Sequence, residues 1–347
     1  MRKAALALLF LLPVAAGAQQ VTKLKYAEFS PDRERIHNVV TKPFAEAVQE
    51  ASGGKLQVEL FPNGALGRNP AQQAQLVQDG IADIAFVVPS FTPGRYPDTE
   101  LMELPGLFRN LREATLVFTR LIMSGKIKDY DKFIPIAAWT TPPFSIHAAF
   151  PITGVADLKG KKIRASGAMQ SDALKALGAV PVAIPPTEVP EAIARRTIDA
   201  ATSQPAVVYD FGYDRVTSSH YFLQLGVVPL VVLMNKAKFE SLSPSDQDAI
   251  RAHSMMWMAR LYNDQYSRYE TELIKKLEDD PKHKVVFPSP ADQQVIDAAF
   301  QPVISNWVNR SPRNAELFKA ATAELKKVRD ENEKQGVGNV NTADQGK

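Results

Sequence analysis

The order in which strand-like and helix-like segments alternate restricts the fold of this chain more than any other feature. Residues 23–29 (KLKYAEF) alternate polar and apolar side chains as a strand does, and Pro31 and Asp32 turn the chain. From 37 to 51, Val39, Val40, Phe44, Ala47 and Val48 recur near i, i+4 and i+8, which is one face of a helix. Gly53 and Gly54 stop it, and residues 56–61 (LQVELF) alternate as a second strand. A helix over 70–79 follows, with proline where a first turn tolerates it, then a more buried strand over 81–88. Strand-helix-strand-helix-strand at these lengths implies a mostly parallel sheet with helices on both faces. The grammar repeats further on: strand 162–165 (KIRA), helix 171–177, strand 180–184, helix 188–195 and strand 198–201. Residues 227–234 add one more buried strand, 244–276 are helix-rich, and 312–335 form a charged amphipathic helix. Two α/β lobes follow, and a ligand closing between them is the natural use of that plan.

The chain has 347 residues, enough for about two domains with well-covered cores. Hydrophobic residues at 45% and charged ones at 23% exclude bulk disorder. A net charge of +3 gives nucleic acid no electrostatic claim on it. The absence of cysteine excludes disulfides, a thiolate nucleophile and iron–sulfur clusters. The N-terminus reads as a secretory signal over residues 1–18: Arg2 and Lys3, an apolar run over 4–15, then Ala16-Gly17-Ala18 in the spacing a signal peptidase uses. Cleavage after Ala18 leaves an exported, non-membrane-spanning chain with 39 basic and 38 acidic residues, expected in the periplasm.

Catalytic chemistry finds little support. The five histidines (His37, His147, His220, His253, His283) show no metal-ligand spacing and are expected to be unrelated to one another. No G-x-S-x-G elbow or phosphate-binding glycine loop is present, so no metal, cofactor or catalytic residue is expected. Glu28, Glu103, Glu188 and Asp210 lack the paired spacing of acid–base catalysis. The basic run Lys159, Lys161, Lys162, Arg164 lacks interleaved aromatics and suits a solvated turn into a strand. Arg164 itself ends a strand beside Ala165, Ser166 and Gly167; that position suits bidentate capture of a carboxylate, although by itself a surface arginine is the commoner case.

Several short motifs carry a resemblance. Phe61-Pro62-Asn63-Gly64-Ala65-Leu66-Gly67 resembles the "yP.gqLG" turn of the DctP-type solute-binding proteins of TRAP transporters (tripartite ATP-independent periplasmic transporters). Thr92-Pro93-Gly94-Arg95-Tyr96-Pro97 followed by Glu103-Leu104-Pro105 is similar to that family's "ELPf" segment. Residues 156–164 (ADLKGKKIR) match its "dlkGlKiR" signature. Thr187-Glu188-Val189 with Ile198-Asp199-Ala200-Ala201, and Met234-Asn235-Lys236 with Leu242-Ser243-Pro244, match two later stretches. The matches keep family order from Phe61 to Pro244.

The resemblance implies a two-lobed periplasmic binding protein fold of α/β class, with a mixed sheet in each lobe, hinge strands and a long lobe-spanning helix. On that plan lobe I takes residues 19–141 and 230–270, and lobe II takes 142–229 and 271–345, including the C-terminal helices. It implies that Arg164 pairs with the carboxylate of a small organic acid. It places Ser203 or Gln204 after the family's "vDg" turn, and puts Phe144 where some members carry a second arginine. Phe29 and Asn69 fall on loops that face the cleft in the family. With Arg164 beside Phe144, Trp139 and Phe29 and no second cation, the expected ligand is a monocarboxylate with an apolar or aromatic remainder. The implied partners are integral-membrane TRAP subunits driven by an ion gradient. The alternatives are the binding component of an ATP-driven importer and an exported α/β enzyme.

Overall fold

The computed structural model describes residues 21–334; the expected signal segment, its cleavage after Ala18, and residues 335–347 lie outside them. The first four strands are β1 (Thr22–Ala27), β2 (Leu56–Phe61), β3 (Ile84–Val87) and β4 (Phe133–Thr140). Then come β5 (Ser145–Ala148), β6 (Lys162–Ala165), β7 (Val180–Ala183), β8 (Ala200–Ser203) and β9 (Ser219–Tyr221). The last two are β10 (Pro229–Asn235) and β11 (Lys284–Val286).

These strands form two sheets. One runs β2-β1-β3-β10-β4 and the other β11-β9-β5-β8-β6-β7. Within the first, β1 pairs parallel with β2 and β3, while β10 is antiparallel to β3 and β4. Within the second, β6 is parallel to β7 and β8, β11 is parallel to β9, and β5 is antiparallel to β8 and β9. The parallel character read from the alternating pattern therefore holds inside each strand-helix-strand unit. The returning strands β5 and β10 make both sheets mixed.

The periodic pattern is realised with local adjustments. Pro43 lacks a backbone donor, and the helix over 37–51 opens with a wide turn at His37–Thr41 before settling into Lys42–Ala51. The third strand starts at Ile84, not at 81, because Ile81 and Ala82 donate to Leu76 O in the helix-ending turn after Gly80. The helix after β6 starts earlier than residue 171, at Ala168, with Gly167 as its cap.

The chain crosses between the sheets at residues 141–144 and again at 222–228. The two crossings run side by side: Thr141 N donates to Val228 O, Phe144 N to Gly226 O, and Leu225 N to Phe144 O. Gly226 sits at φ +92°, and a Cβ there would stand 2.4 Å from the Glu103 carbonyl oxygen, so only glycine fits this crossing. The helix Met256–Asp279 spans both halves. It packs on Leu111–Met123 and β4 on one side and on Pro205–Asp210 and β11 on the other. The helix Pro312–Lys334, expected with the second lobe, packs instead on Leu111–Met123 beside the first sheet. Its apolar stripe of Leu317, Ala321, Leu325 and Val328 is buried, and Arg120–Glu324, Arg120–Glu331 and Arg329–Glu113 ion pairs flank it.

Candidate functional site

Open α/β sheets bind ligands beyond the carboxyl ends of their parallel strands, and here those ends face one another. Phe29 follows β1, Phe91 follows β3, Arg164 and Ser166 lie at the end of β6, and Ser203 and Gln204 lie at the end of β8. Together with Phe144 from the first crossing they line a cavity between the two sheets. A second cavity of about 740 Å³, opening to solvent, meets it at Phe91 and Ser166 and is lined on one side by Asn69 and Pro70.

Arg164 is 3% exposed. Its Nε donates to Ile184 O at 3.0 Å, and its Nη1 donates to Ser166 Oγ at 2.9 Å and Thr202 O at 3.2 Å. Among the described residues Nη2 has no hydrogen-bond partner, and no carboxylate pairs with the guanidinium. Burial holds the arginine below its ordinary value, with the Tyr213 phenol opposing the shift. A guanidinium this buried and this well held is costly unless an anion meets its free Nη2. Gln170 braces the same corner: its Oε1 accepts from Ser166 N at 3.1 Å and Thr202 Oγ1 at 2.8 Å, tying the end of β6 to β8.

The rest of the wall is apolar and aromatic. Phe29 stacks on Phe86 with ring centroids 5.7 Å apart and meets Phe91 edge-on at 6.1 Å, and all three rings line the cavity. Arg164 is the one cation lining it among the described residues. Aromatic rings stacked in this way offer flat, weakly polar surface to a ring or a branched chain.

Of the seven residues singled out in the sequence, five come together: Arg164, Phe144, Ser203, Gln204 and Phe29. Asn69 stays apart in the outer cavity, where its side chain caps the short helix Pro70–Gln72 by accepting from Ala71 N at 3.0 Å. Trp139 lines neither cavity. It is fully buried one layer back, stacked on Phe86 at 6.3 Å and on Tyr262 at 5.3 Å. Phe86, Phe91 and Glu34 were missed. The two phenylalanines stand in the strand and loop expected over 81–88 and just after, and their place at a strand end was the available signal. Glu34 lies in the charged turn Asp32-Arg33-Glu34-Arg35, which reads as solvent-facing. It is in fact 5% exposed, and its carboxyl is raised to about 8, first by burial and then by nearby Asp210 and Glu28.

Three of the five histidines are related after all. His147 on β5 lies 2.8 Å from His220 on β9 (Nδ1 to Nδ1), and His220 Nε2 lies 2.9 Å from His283 Nδ1. His147 Nε2 donates to Ser203 O at 3.2 Å, at the cavity edge. A carbonyl only accepts, so in the neutral row His220 Nδ1 donates to His147 and His283 Nδ1 donates to His220. Burial holds His147 down to about 4 and pushes His220 lower still. Among the described residues no group of three or more His, Asp or Glu is placed to hold a metal ion.

Fold and cavity together define a two-lobed binding protein, with cavity walls drawn from both sheets. A model of the family described as "Bacterial extracellular solute-binding protein, family 7" (DctP) matches residues 26–311, and the chain belongs to that family of TRAP solute-binding proteins. The 2,3-diketo-L-gulonate-binding periplasmic protein YiaO of Escherichia coli K12 is 28% identical over 87% of this chain and 92% of its own length. A marine-metagenome TRAP solute-binding protein specific for aromatic acid ligands, solved with 3-hydroxybenzoate, superposes with a TM-score of 0.84. It is 27% identical, over 89% of this chain and 99% of its own. A TRAP solute-binding protein of Rhodoferax ferrireducens T118, solved with copurified benzoate, gives 0.82 at 25% identity over 89% and 99%. Members of this family are substrate-binding receptors, and none of the described helices is long and apolar enough to cross a membrane.

Proposed function

We propose that this protein is a periplasmic receptor, released by cleavage after Ala18, that captures a small monocarboxylate with an apolar or aromatic remainder. It hands that acid to TRAP membrane subunits for ion-gradient-driven uptake. The observation that carries the reading is the buried Arg164, held by two carbonyls and a hydroxyl, with its Nη2 free and no acidic partner. A ligand carboxylate at Nη2 forms the charge-assisted hydrogen bonds that offset the buried charge. Phe29, Phe86, Phe91 and Phe144 then cover the remainder of the acid. A dicarboxylate would bring a second charge to a wall with no second cation, at a cost of several kcal/mol. The aromatic acids bound by the two structural relatives agree with such walls. No chemistry is performed on the ligand; the lobes open about the two crossings, admit the acid and close on it.

Titration calorimetry of the mature chain against benzoate, phenylacetate, 4-methylvalerate and succinate tests this. At least one monocarboxylate should bind about a hundredfold or more tighter than succinate. Arg164→Gln, which keeps donors for the neighbouring carbonyls, should weaken that acid by about thirtyfold or more. Tight succinate binding, full affinity in Arg164→Gln, or recovery of an altered acid would refute the reading.

A further inference from the structure

A carboxylate on Arg164 leaves two polar atoms of the same cavity without partners. Glu34 Oε2 and Gln204 Oε1 are both buried and unbonded, on residues only 5% and 2% exposed. They come from opposite walls: Glu34 from the loop after β1, and Gln204 from the cap of the helix Pro205–Asp210. Buried polar atoms are paired in nearly all folded proteins, and two in one ligand cavity point to groups that the ligand supplies.

The kind of group follows from what faces them. Ser30, Glu28 and Asp210 act on the Glu34 carboxyl, and Tyr262 and Tyr266 face it from the helix Met256–Asp279. Arg33 donates to the Asp210 carbonyl, and Arg35 stacks on Tyr269, so neither arginine ion-pairs with Glu34. The Glu34 carboxyl stays protonated in neutral solution, so it brings an O–H donor where Gln204 Oε1 brings an acceptor. A second anion has no cation there, and a plain hydrocarbon leaves both atoms unmet. One neutral group that both accepts and donates is a hydroxyl.

We infer that the acid held by Arg164 also carries a hydroxyl group that hydrogen-bonds at Glu34 and Gln204, making these two residues the determinants that select hydroxylated acids over their parent acids. The inference rests on the monocarboxylate reading above and names the ligand class within it. Glu34 selects by leaving its own buried oxygen unpaired whenever the hydroxyl is missing, which is how polar sites reject analogues that lack one group.

Calorimetry on matched acids decides it: benzoate with the three hydroxybenzoates, and phenylacetate with mandelate and phenylglycine. At least one hydroxy acid should bind tenfold or more tighter than its parent, a gap of about 1.4 kcal/mol. In Glu34→Leu and in Gln204→Leu that preference should shrink to about threefold or less, because the parent acid no longer leaves a buried polar atom unpaired. Parent acids binding as tightly as every hydroxy acid would overturn the inference while leaving the monocarboxylate reading standing. So would phenylglycine binding tightest, which would replace the hydroxyl with an ammonium group. Failure of all these acids to bind would instead count against the monocarboxylate reading itself. Should Glu34→Leu fail to fold, Gln204→Leu decides, and full preference in a folded variant overturns the inference.

Discussion

Gly167→Ala tests whether closure of the lobes is part of binding. Gly167 precedes the helix Ala168–Ala176 on the second sheet's side, and its φ of −161° is ordinary extended backbone, so alanine meets no conformational objection. The objection is space. A Cβ there would stand 2.7 Å from Glu103 Oε2, 3.0 Å from Ser90 Cβ and 3.3 Å from Ser90 O, all belonging to the first sheet's side. Glu103 cannot swing aside cheaply, because it is buried and its Oε1 accepts from Ser90 Oγ at 2.8 Å. The methyl group must therefore push the two sides apart by some tenths of an ångström. Overpacking of this kind costs about 1–3 kcal/mol, and here only where the two sides touch. Affinity falls by the same amount when the competent state is disfavoured, roughly 5- to 150-fold. Titrating wild type and variant with the same acid, following calorimetry or tryptophan fluorescence, measures the loss; melting of the ligand-free proteins supplies the control. The expected pattern is weaker binding with an unchanged ligand-free melting temperature. Unchanged affinity would refute the reasoning, and an equal loss of ligand-free stability would place the clash in every state of the protein.

Two further outcomes follow from buried titratable groups. His220→Phe removes the middle of the histidine row and leaves His147 Nδ1 and His283 Nδ1 without partners; it should cost about 2–4 kcal/mol, read by denaturant melting, and an unchanged midpoint would refute it. Because burial lowers His147 to about 4, its contribution is present above the unfolded value of 6.5 and is lost as pH falls toward 4, a loss the variant should share less. Glu34 and Glu103 go the other way: each is raised to about 8, so their contribution is present below the unfolded 4.5 and lost as pH rises through 8. Affinity for the acid should accordingly drop between about pH 7 and 9 as a charge develops on Glu34 beside the bound anion. Glu34→Gln should flatten that drop, and a flat wild-type profile would refute it.

Much of the frame was legible because local rules and tertiary structure agree in it. The strand at 56–61 and the strand at 162–165 lie where the alternation put them, and Gly53 and Gly80 follow the first two helices as expected. The resemblance added the mixed sheets, and with them the two antiparallel returns that no local pattern distinguishes from parallel strands. Other features were not legible, because they exist only across long separations. Neither β4, β5 nor the helix Leu111–Met123 was anticipated, although that helix carries a clean amphipathic period with Arg112, Glu113 and Arg120 among its apolar residues. His147, His220 and His283 meet only when β5, β9 and β11 lie beside one another, and nothing in their spacing says so. Trp139 shows the limit in the other direction: an aromatic near the right strand end faces the core, with Phe86 between it and the cavity. Glu34 hid in a turn whose composition is that of a solvated surface.

The division of the cavity wall has a kinetic meaning. Phe29 and Leu230 stand on one side of it, Arg164 and Ser203 on the other, and Arg33 donates across the gap to the Asp210 carbonyl. A guest held between these walls loses its contacts with one side or the other when the two sides part, so its residence time depends on how often they do. That motion turns on the crossings at 141–144 and 222–228. A competitor in solution cannot hurry that step. Emptying the cavity quickly takes something that grips both sides and spreads them.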